Sequence, residues 1–87
     1  MIDSALRDQV IRRLLAASDV KVAAADVTDA TSLRDDLDIS SLILITLASE
    51  LEDALGIDIE DEELARIQTI GDLFEAIQTS QRRSRPT

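Results

Sequence analysis

The most informative absences in this 87-residue chain are those of cysteine and histidine. Without cysteine there is no disulfide, no thiolate metal site and no cysteine nucleophile. Without histidine the chain has neither the usual general base nor the commonest metal ligand, and a Ser-His-Asp arrangement is impossible. The two absences argue against an enzyme and against a metal centre in this chain.

Positive charge is also scarce. The chain has 9 lysines and arginines against 18 aspartates and glutamates, which gives a formal net charge of -9. A domain this acidic repels nucleic-acid phosphates and anionic lipid headgroups, so we expect neither a nucleic-acid nor a membrane partner. Basic protein surfaces are the natural partners of such a charge, although acidic residues that serve only solubility fit it equally well.

Long apolar runs are missing as well. None approaches the roughly 20 residues of a membrane span, and no signal-peptide pattern opens the chain, which predicts a cytoplasmic protein. Hydrophobic residues nevertheless make up 45% of the sequence. That content suffices for one compact core, so we expect a single folded domain.

Four apolar residues recur at helical spacing near the start of the chain, namely Leu6, Val10, Leu14 and Ala17. This period predicts an amphipathic first helix that is capped by Asp3 or Ser4 and ends near Ser18-Asp19. The stretch 20–32 has no sustained period and predicts a long loop. Four apolar side chains of this region are expected to enter the core, because an exposed group of them would form an apolar patch: Val20, Val22, Val27 and Leu33.

The strongest helical pattern runs from Leu42 to Leu55. At about 100° per residue, six residues of this second helix fall on one face: Leu44, Leu47, Ala48, Leu51, Ala54 and Leu55. Leu42 falls nearly opposite this face, and Ile43 and Ile45 lie on its flanks. Gly56 fits the left-handed residue that commonly ends a helix.

The remaining sequence predicts two more helices and a tail. Asp61 to Ile67 has three acids in its first turn, which the helix dipole favours, and predicts a short third helix. The segment Thr69-Ile70-Gly71-Asp72 has the form of a capping box and opens a fourth helix. Residues 80–87 have no apolar side chain to bury, so we expect the folded domain to span residues 1–79 and the tail 80–87 to be disordered. The predicted architecture is an all-α four-helix bundle with a long loop between helices 1 and 2.

Two serines at the start of the second helix are the candidate functional residues. Ser40 and Ser41 stand directly before the helical run that begins at Leu42. A serine at such a boundary can cap the helix by accepting a backbone N–H bond. It can also be the exposed attachment point of a prosthetic group. The residues alone leave both alternatives open.

Several motifs after Val27 stand in register with one another, among them Asp36-Leu37, Ser41-Leu42, Gly56-Ile57, Asp61-Glu62-Glu63 and Thr69-Ile70-Gly71-Asp72. Together they resemble the acyl carrier protein family over about residues 4–79. The resemblance implies a four-helix bundle of acyl-carrier-protein type in which a serine holds 4'-phosphopantetheine through a phosphodiester. It further implies that an acyl or aminoacyl group is held on this arm as a thioester and delivered to partner enzymes.

Position by position, the resemblance implies that Ser41 carries the arm and that Leu42 is the leucine that follows it. A phosphate at a helix N-terminus meets unpaired backbone N–H groups and the positive end of the helix dipole, which fits this assignment. Two positions depart from the family pattern: Ser40 stands where aspartate is usual, and Asp38 where glycine is usual. Ser40 is therefore the helix cap or the alternative attachment residue, or its presence impairs modification.

The resemblance also implies partners. They are a phosphopantetheinyl transferase, a ligase that loads acyl or aminoacyl groups, and enzymes of ketosynthase or acyltransferase type. We expect a monomer that binds them through Ile43, Ile45, Glu50 and Asp53 on the second helix. Ile43 and Thr46 stand where many family members carry acids, which indicates a specialised carrier in polyketide, specialised fatty-acid or related secondary-metabolite biosynthesis.

Three interpretations stay open beside these. The bundle could be an unmodified acidic adaptor that binds partners through its second helix, an alternative favoured only by Ser40. The aliphatic interior, with Phe74 as its single aromatic residue, could admit an acyl chain or could be a filled core. Arg12, Arg13 and Arg34 are interpreted as solvated surface charges.

Overall fold

The computed structural model describes residues 4–18 and 20–84. Within these ranges the chain forms an all-α bundle, and an isolated antiparallel bridge between Ser32 and Thr69 is its only strand-like pairing. None of the described helices is long and apolar enough to cross a bilayer. The elements in chain order are α1 Ser4–Ala17, a 3-10 turn Ala24–Asp26, α2 Ser41–Leu55, α3 Asp61–Arg66 and α4 Ile70–Ser84.

Helix α1 begins at Ser4 and ends at Ala17, just before the end predicted near Ser18-Asp19, of which Asp19 lies outside the described residues. Val10, Ile11 and Leu14 are buried, and Leu6 is half-buried against the core. Asp3, one of the two residues expected to cap the helix, also lies outside them. The amphipathic pattern therefore places one face of α1 on the core.

The connection from α1 to α2 is a long loop that contains the short 3-10 turn. Val27 and Leu33 are buried and Val22 packs against the core, as expected. The expectation for Val20 is wrong, because 41% of this residue is exposed. Its backbone N–H donates to the Ser18 hydroxyl at 3.1 Å, so Val20 is bonded to the end of α1 and its side chain does not enter the core.

Helix α2 buries most of the face that its sequence predicts. Four residues of this face are buried, namely Leu44, Leu47, Ala48 and Leu51. Ala54 was expected there and is exposed. It lies at the edge of the face and one residue before the end of the helix. Leu55 and the buried Ile57 cover that end of the core instead.

The end of α2 follows the expected glycine motif. Gly56 adopts a left-handed conformation with a φ of 65°. Its N–H donates to the Glu52 carbonyl at 2.9 Å, and the N–H of Ile57 donates to the same carbonyl at 3.2 Å. These bonds satisfy a helix carbonyl that would otherwise lack a partner.

Helix α4 opens with the capping box that the sequence predicts. The N–H of Asp72 donates to Thr69 Oγ1 at 3.2 Å, and the N–H of Thr69 donates to Asp72 Oδ2 at 3.2 Å. Gly71 allows a close approach here, because a Cβ at this position would lie 3.1 Å from the Asp29 carbonyl oxygen, a tight contact. Leu73, Phe74 and Ile77 of α4 are buried in the core.

The last helix is longer than the sequence indicates. It continues through Ser84, so residues 80–84 are helical where a disordered tail was expected. Ser80 is completely buried, because it follows Ala76 and Ile77 on the buried face of the helix and its side chain is small enough to fit there. The proposed domain boundary after Thr79 stays a prediction, and residues 85–87 lie outside the described ranges.

Candidate functional site

A short loop anchored in the core leads into the start of α2. Leu33, Leu37 and Ile39 are all buried. The N–H of Ile39 donates to the Leu33 carbonyl at 2.8 Å, which closes the loop on itself. The loop that leads into α2 is therefore held in place.

Asp38 makes the turn within this loop. It has a φ of 54°, and it is the only residue other than glycine with a positive φ in the described ranges. The left-handed region is strained for most side chains, but aspartate tolerates it better than others do. This conformation suits the position at which the family usually has glycine, and it lets both Leu37 and Ile39 reach the core.

Ser40 is the N-cap of α2. It has an extended conformation, with φ -75° and ψ 168°, and its Oγ accepts a bond from the backbone N–H of Ile43 at 3.3 Å. Its carbonyl accepts the N–H of Leu44 at 2.9 Å, which is the first bond of the helix. Of the roles that the sequence left open for Ser40, the structure gives it the cap.

Ser41 is the first residue of α2 and is exposed. Its hydroxyl takes no part in capping. Instead Arg34 Nη2 donates to Ser41 Oγ at 3.1 Å. A serine at this place presents its oxygen to solvent, beside a guanidinium and at the positive end of the helix dipole.

The contact of Arg34 is the feature of the site that sequence reasoning missed. Arg34 was interpreted as a plain solvated charge, and that interpretation overlooks its bond to Ser41. Arg12 is exposed as expected, whereas Arg13 is half-buried. The sequence signal for the Arg34 contact is weak, because it depends on the chain reversal at Asp38.

The outer face of α2 begins with exposed apolar residues. Leu42 is 74% exposed and Ile45 is 51% exposed, whereas Ile43 is half-buried against the core. Glu50 and Asp53 are exposed farther along the helix. Residues three and four positions apart are neighbours on a helix surface, so an apolar start and an acidic end share one side of α2.

A cleft of about 890 Å³ opens beside Ser41 between the start of α2, the preceding loop and α3. Its lining mixes polar and apolar side chains, including Arg34, Ser41, Leu44, Ile45, Leu64 and Ile67. In the part of the chain that the structure describes, no group of three or more acidic side chains is arranged to hold a metal ion.

Comparison with known proteins gives the family. Residues 9–77 match the family model of the phosphopantetheine attachment site. The meromycolate extension acyl carrier protein of Mycolicibacterium aurum is 42% identical over 57 residues, which cover 66% of this chain and 59% of that protein. Its counterpart in Mycobacterium leprae is 40% identical over 57 residues, with coverage of 66% and 50%. The chain thus spans about half to three fifths of the length of these relatives.

One further relative and one solved structure match over more of their length. An acyl carrier protein of Rubrobacter xylanophilus is 36% identical over 66 residues, which cover 74% of this chain and 82% of that protein. The crystal structure of an acyl carrier protein from Thermotoga maritima has the same fold, with a TM-score of 0.68 at 22% identity and coverage of 88% and 92%. The chain belongs to the acyl carrier proteins, a family of phosphopantetheine attachment domains.

Family membership confirms three expectations from the sequence. The fold is a helical bundle of acyl-carrier-protein type. Proteins of this family are carriers and not catalysts, and the group that they carry covalently is 4'-phosphopantetheine. The residues at the start of α2 fit this group, because an exposed hydroxyl, a guanidinium and the N–H groups of a helix N-terminus meet there.

Proposed function

We propose that this chain is a carrier of acyl or aminoacyl intermediates and that Ser41 is the residue to which 4'-phosphopantetheine is attached. When attached, the group supplies a terminal thiol that holds the intermediate as a thioester. One observation carries the assignment: Ser40 caps α2, while the hydroxyl of Ser41 is exposed and is contacted by Arg34.

Ser40 and Ser41 have different roles at this site. Ser40 holds the first turn of α2 through its bond to Ile43. Ser41 presents Oγ at a helix start that the buried loop keeps in place, and the helix dipole favours a negative charge on it. The adaptor alternative rested on the loss of aspartate at position 40. Because serine is as good an N-cap as aspartate, that substitution by itself gives no reason for loss of modification.

The outer side of α2 is the docking surface in this proposal. Leu42 and Ile45 give an exposed apolar contact close to Ser41, and Glu50 and Asp53 give negative charge farther along the helix. Enzymes with basic residues around an apolar patch fit this surface. We propose as partners a phosphopantetheinyl transferase, a loading ligase, and enzymes of ketosynthase or acyltransferase type.

We also propose the kind of pathway that this carrier serves. The mycobacterial relatives are named for meromycolate extension, and Ile43 and Thr46 make the start of α2 less acidic than in many family members. Both observations support a specialised carrier in polyketide, specialised fatty-acid or related secondary-metabolite biosynthesis. Cytoplasmic location and a monomeric state stay predictions.

The test is the intact mass after incubation with coenzyme A and a promiscuous phosphopantetheinyl transferase. In the expected transfer, Ser41 Oγ bonds to the phosphorus of the phosphopantetheine part of coenzyme A. The diphosphate P–O bond breaks, and adenosine 3',5'-bisphosphate leaves with the bridging oxygen and its electron pair. The hydroxyl proton passes to a base of the transferase.

Two variants decide the position of attachment. Ser41→Ala should abolish the gain of one phosphopantetheine in mass, and Ser40→Ala should retain it. The reverse pattern would assign the arm to Ser40. An unmodified parent protein, under conditions in which a control carrier is fully converted, would favour the adaptor alternative.

A further inference from the structure

Arg34 is directed at Ser41 although the sequence around it is acidic. Asp35, Asp36 and Asp38 are its neighbours, and all three are exposed. Yet in the described ranges the ion pair within 4.0 Å is that of Arg7 with Asp29, and Arg34 forms none. Its guanidinium instead donates to the hydroxyl of Ser41 at 3.1 Å.

Asp36 and Asp38 each have another partner or position. The carboxylate of Asp36 accepts the backbone N–H of Ser32 at 2.8 Å. Asp38 occupies the left-handed turn between two buried residues. Arg34 is therefore available to a group on Ser41 and does not have to break an ion pair to reach it.

The start of α2 has no acidic side chain that could pair with Arg34. The first turn of the helix contains no acidic residue, and Ser40 replaces the aspartate that is usual before the attachment serine. The charged group in contact with Ser41 Oγ is thus the Arg34 guanidinium, and the positive end of the helix dipole adds to it. A negative group bonded to that oxygen is favoured by both.

We propose that Arg34 is a positioning residue for the prosthetic group: its guanidinium holds the phosphodiester on Ser41 and so restrains the root of the arm. This inference rests on the proposed attachment at Ser41. A phosphate ester on Oγ carries its anionic oxygens two bonds from the atom that Arg34 already contacts. A guanidinium matches phosphate oxygens with two parallel N–H donors, whereas an ammonium acts as a point charge.

Two consequences follow for the loaded protein. Attachment should stabilise the fold more when Arg34 is present than when it is absent, because the ion pair forms only in the folded state. Since the pair is exposed, the expected effect is small, about two- to five-fold in the unfolding equilibrium constant. It should decrease in about 1 M salt, where the Debye length falls to about 3 Å.

The experiment is a cycle of four proteins, the parent and Arg34→Ala, each unloaded and loaded. Denaturant unfolding gives the unfolding equilibrium constant of each. Loading should lower this constant about two- to five-fold more in the parent than in Arg34→Ala, and the difference should shrink at high salt. Arg12→Ala, which removes an exposed arginine of α1, is the matched control and should respond to loading as the parent does.

A second measurement reports on the arm itself. The 31P resonance of the loaded protein should be broader and shifted in the parent, and should narrow toward the free phosphodiester in Arg34→Ala. Arg34→Lys keeps the charge without the planar fork, so its resonance and its unfolding constant should lie between the two. A merely structural role of Arg34 would change stability equally in the unloaded and loaded forms and would leave the resonance unaltered.

The outcomes separate this inference from the proposed function. If Ser41 is loaded and Arg34→Ala matches the parent in both measurements, the positioning role is wrong and the carrier function stands. If mass analysis finds no loading on Ser41 in the parent, the proposed function fails and the positioning role fails with it.

Discussion

At the scale of single residues, the start of α2 depends on Ser40 and Ser41 in different ways. Ser40 accepts the Ile43 N–H and caps the helix, whereas Ser41 presents its hydroxyl outward. Ser40→Ala should therefore cost about 0.5–2 kcal/mol in the free energy of unfolding. Ser40→Asp should keep most of it, because aspartate caps as well and its charge suits the helix dipole.

Urea unfolding of the unloaded proteins checks this cap. Ser41→Ala is the matched control, since it removes a hydroxyl from the next position without removing a cap, and it should stay within about 0.5 kcal/mol of the parent. Equal losses for the two alanine variants would contradict the division of roles between the serines.

The left-handed conformation of Asp38 leads to a second prediction at this scale. A β-branched side chain is strained at a φ of 54°, so Asp38→Val should destabilise the protein by about 1–2 kcal/mol. Asp38→Gly should stay within about 1 kcal/mol of the parent, because glycine adopts this conformation without strain. Asp35→Val, an exposed position in the same loop without a positive φ, is the control in the same unfolding measurement.

At the scale of the secondary-structure elements, α2 has a structural side and a binding side. Leu51 is buried at the centre of its inner face. Leu51→Ala should cost about 2–5 kcal/mol, because the surrounding core only partly fills the space left by the lost methyl groups. Leu42→Ala, a truncation of the same kind at an exposed position, should stay within about 0.5 kcal/mol of the parent in thermal unfolding. Equal melting temperatures would mean that the inner face is assigned wrongly.

Separate variants test the charge and the apolar start of the binding side of α2. Reversal of Glu50 and Asp53 to lysine should mainly slow association with a cognate partner enzyme and weaken its salt dependence. Ile45→Asp should weaken binding at every salt concentration, because it places a charge in an apolar contact. Ile43 is less suitable for this test than the sequence indicated, since it is half-buried against the core.

Stopped-flow association rates and equilibrium affinities measure the two effects. Glu75→Lys, a charge reversal at an exposed position of α4, is the control for net charge and should change neither the rate nor the affinity by as much. If Ile45→Asp and the double reversal both leave binding unchanged, the docking surface lies elsewhere.

The elements also show what the sequence could predict. Apolar periods and end signals gave the bounds of α1 and α2 to within two residues, because Gly56 and the serines are local signals of a helix end and start. Val20 and Ala54 were expected in the core and are exposed, because burial depends on which elements pack against a position, and neither the apolar composition of a loop nor the period of a helix gives that packing. The contact between Arg34 and Ser41 could not be predicted from the sequence, because it depends on the chain reversal at Asp38 and not on residue spacing.

At the scale of the whole molecule, contacts that are distant in sequence fasten the loop after α1 to both α1 and α4. Arg7 Nη1 donates to Asp29 Oδ1 at 2.8 Å, and its guanidinium lies 4.8 Å from the centroid of the Phe74 ring. The backbone N–H of Gly71 donates to the Asp29 carbonyl at 2.9 Å. The long loop is therefore fastened to α1 and to α4. The folded unit needs α4 in place.

The extent of that unit is tested by truncation at two positions. A chain ending at Ser84 should melt at the same temperature as the parent, because it retains all of α4. A chain ending at Thr79 loses the completely buried Ser80 and the last helical turn. We expect it to be less stable by about 1 kcal/mol, the usual worth of a buried polar contact. Equal melting temperatures for the two truncated proteins and the parent would instead place the end of the domain at Thr79, as the sequence alone predicts, and would mean that the last turn of α4 contributes nothing to the fold.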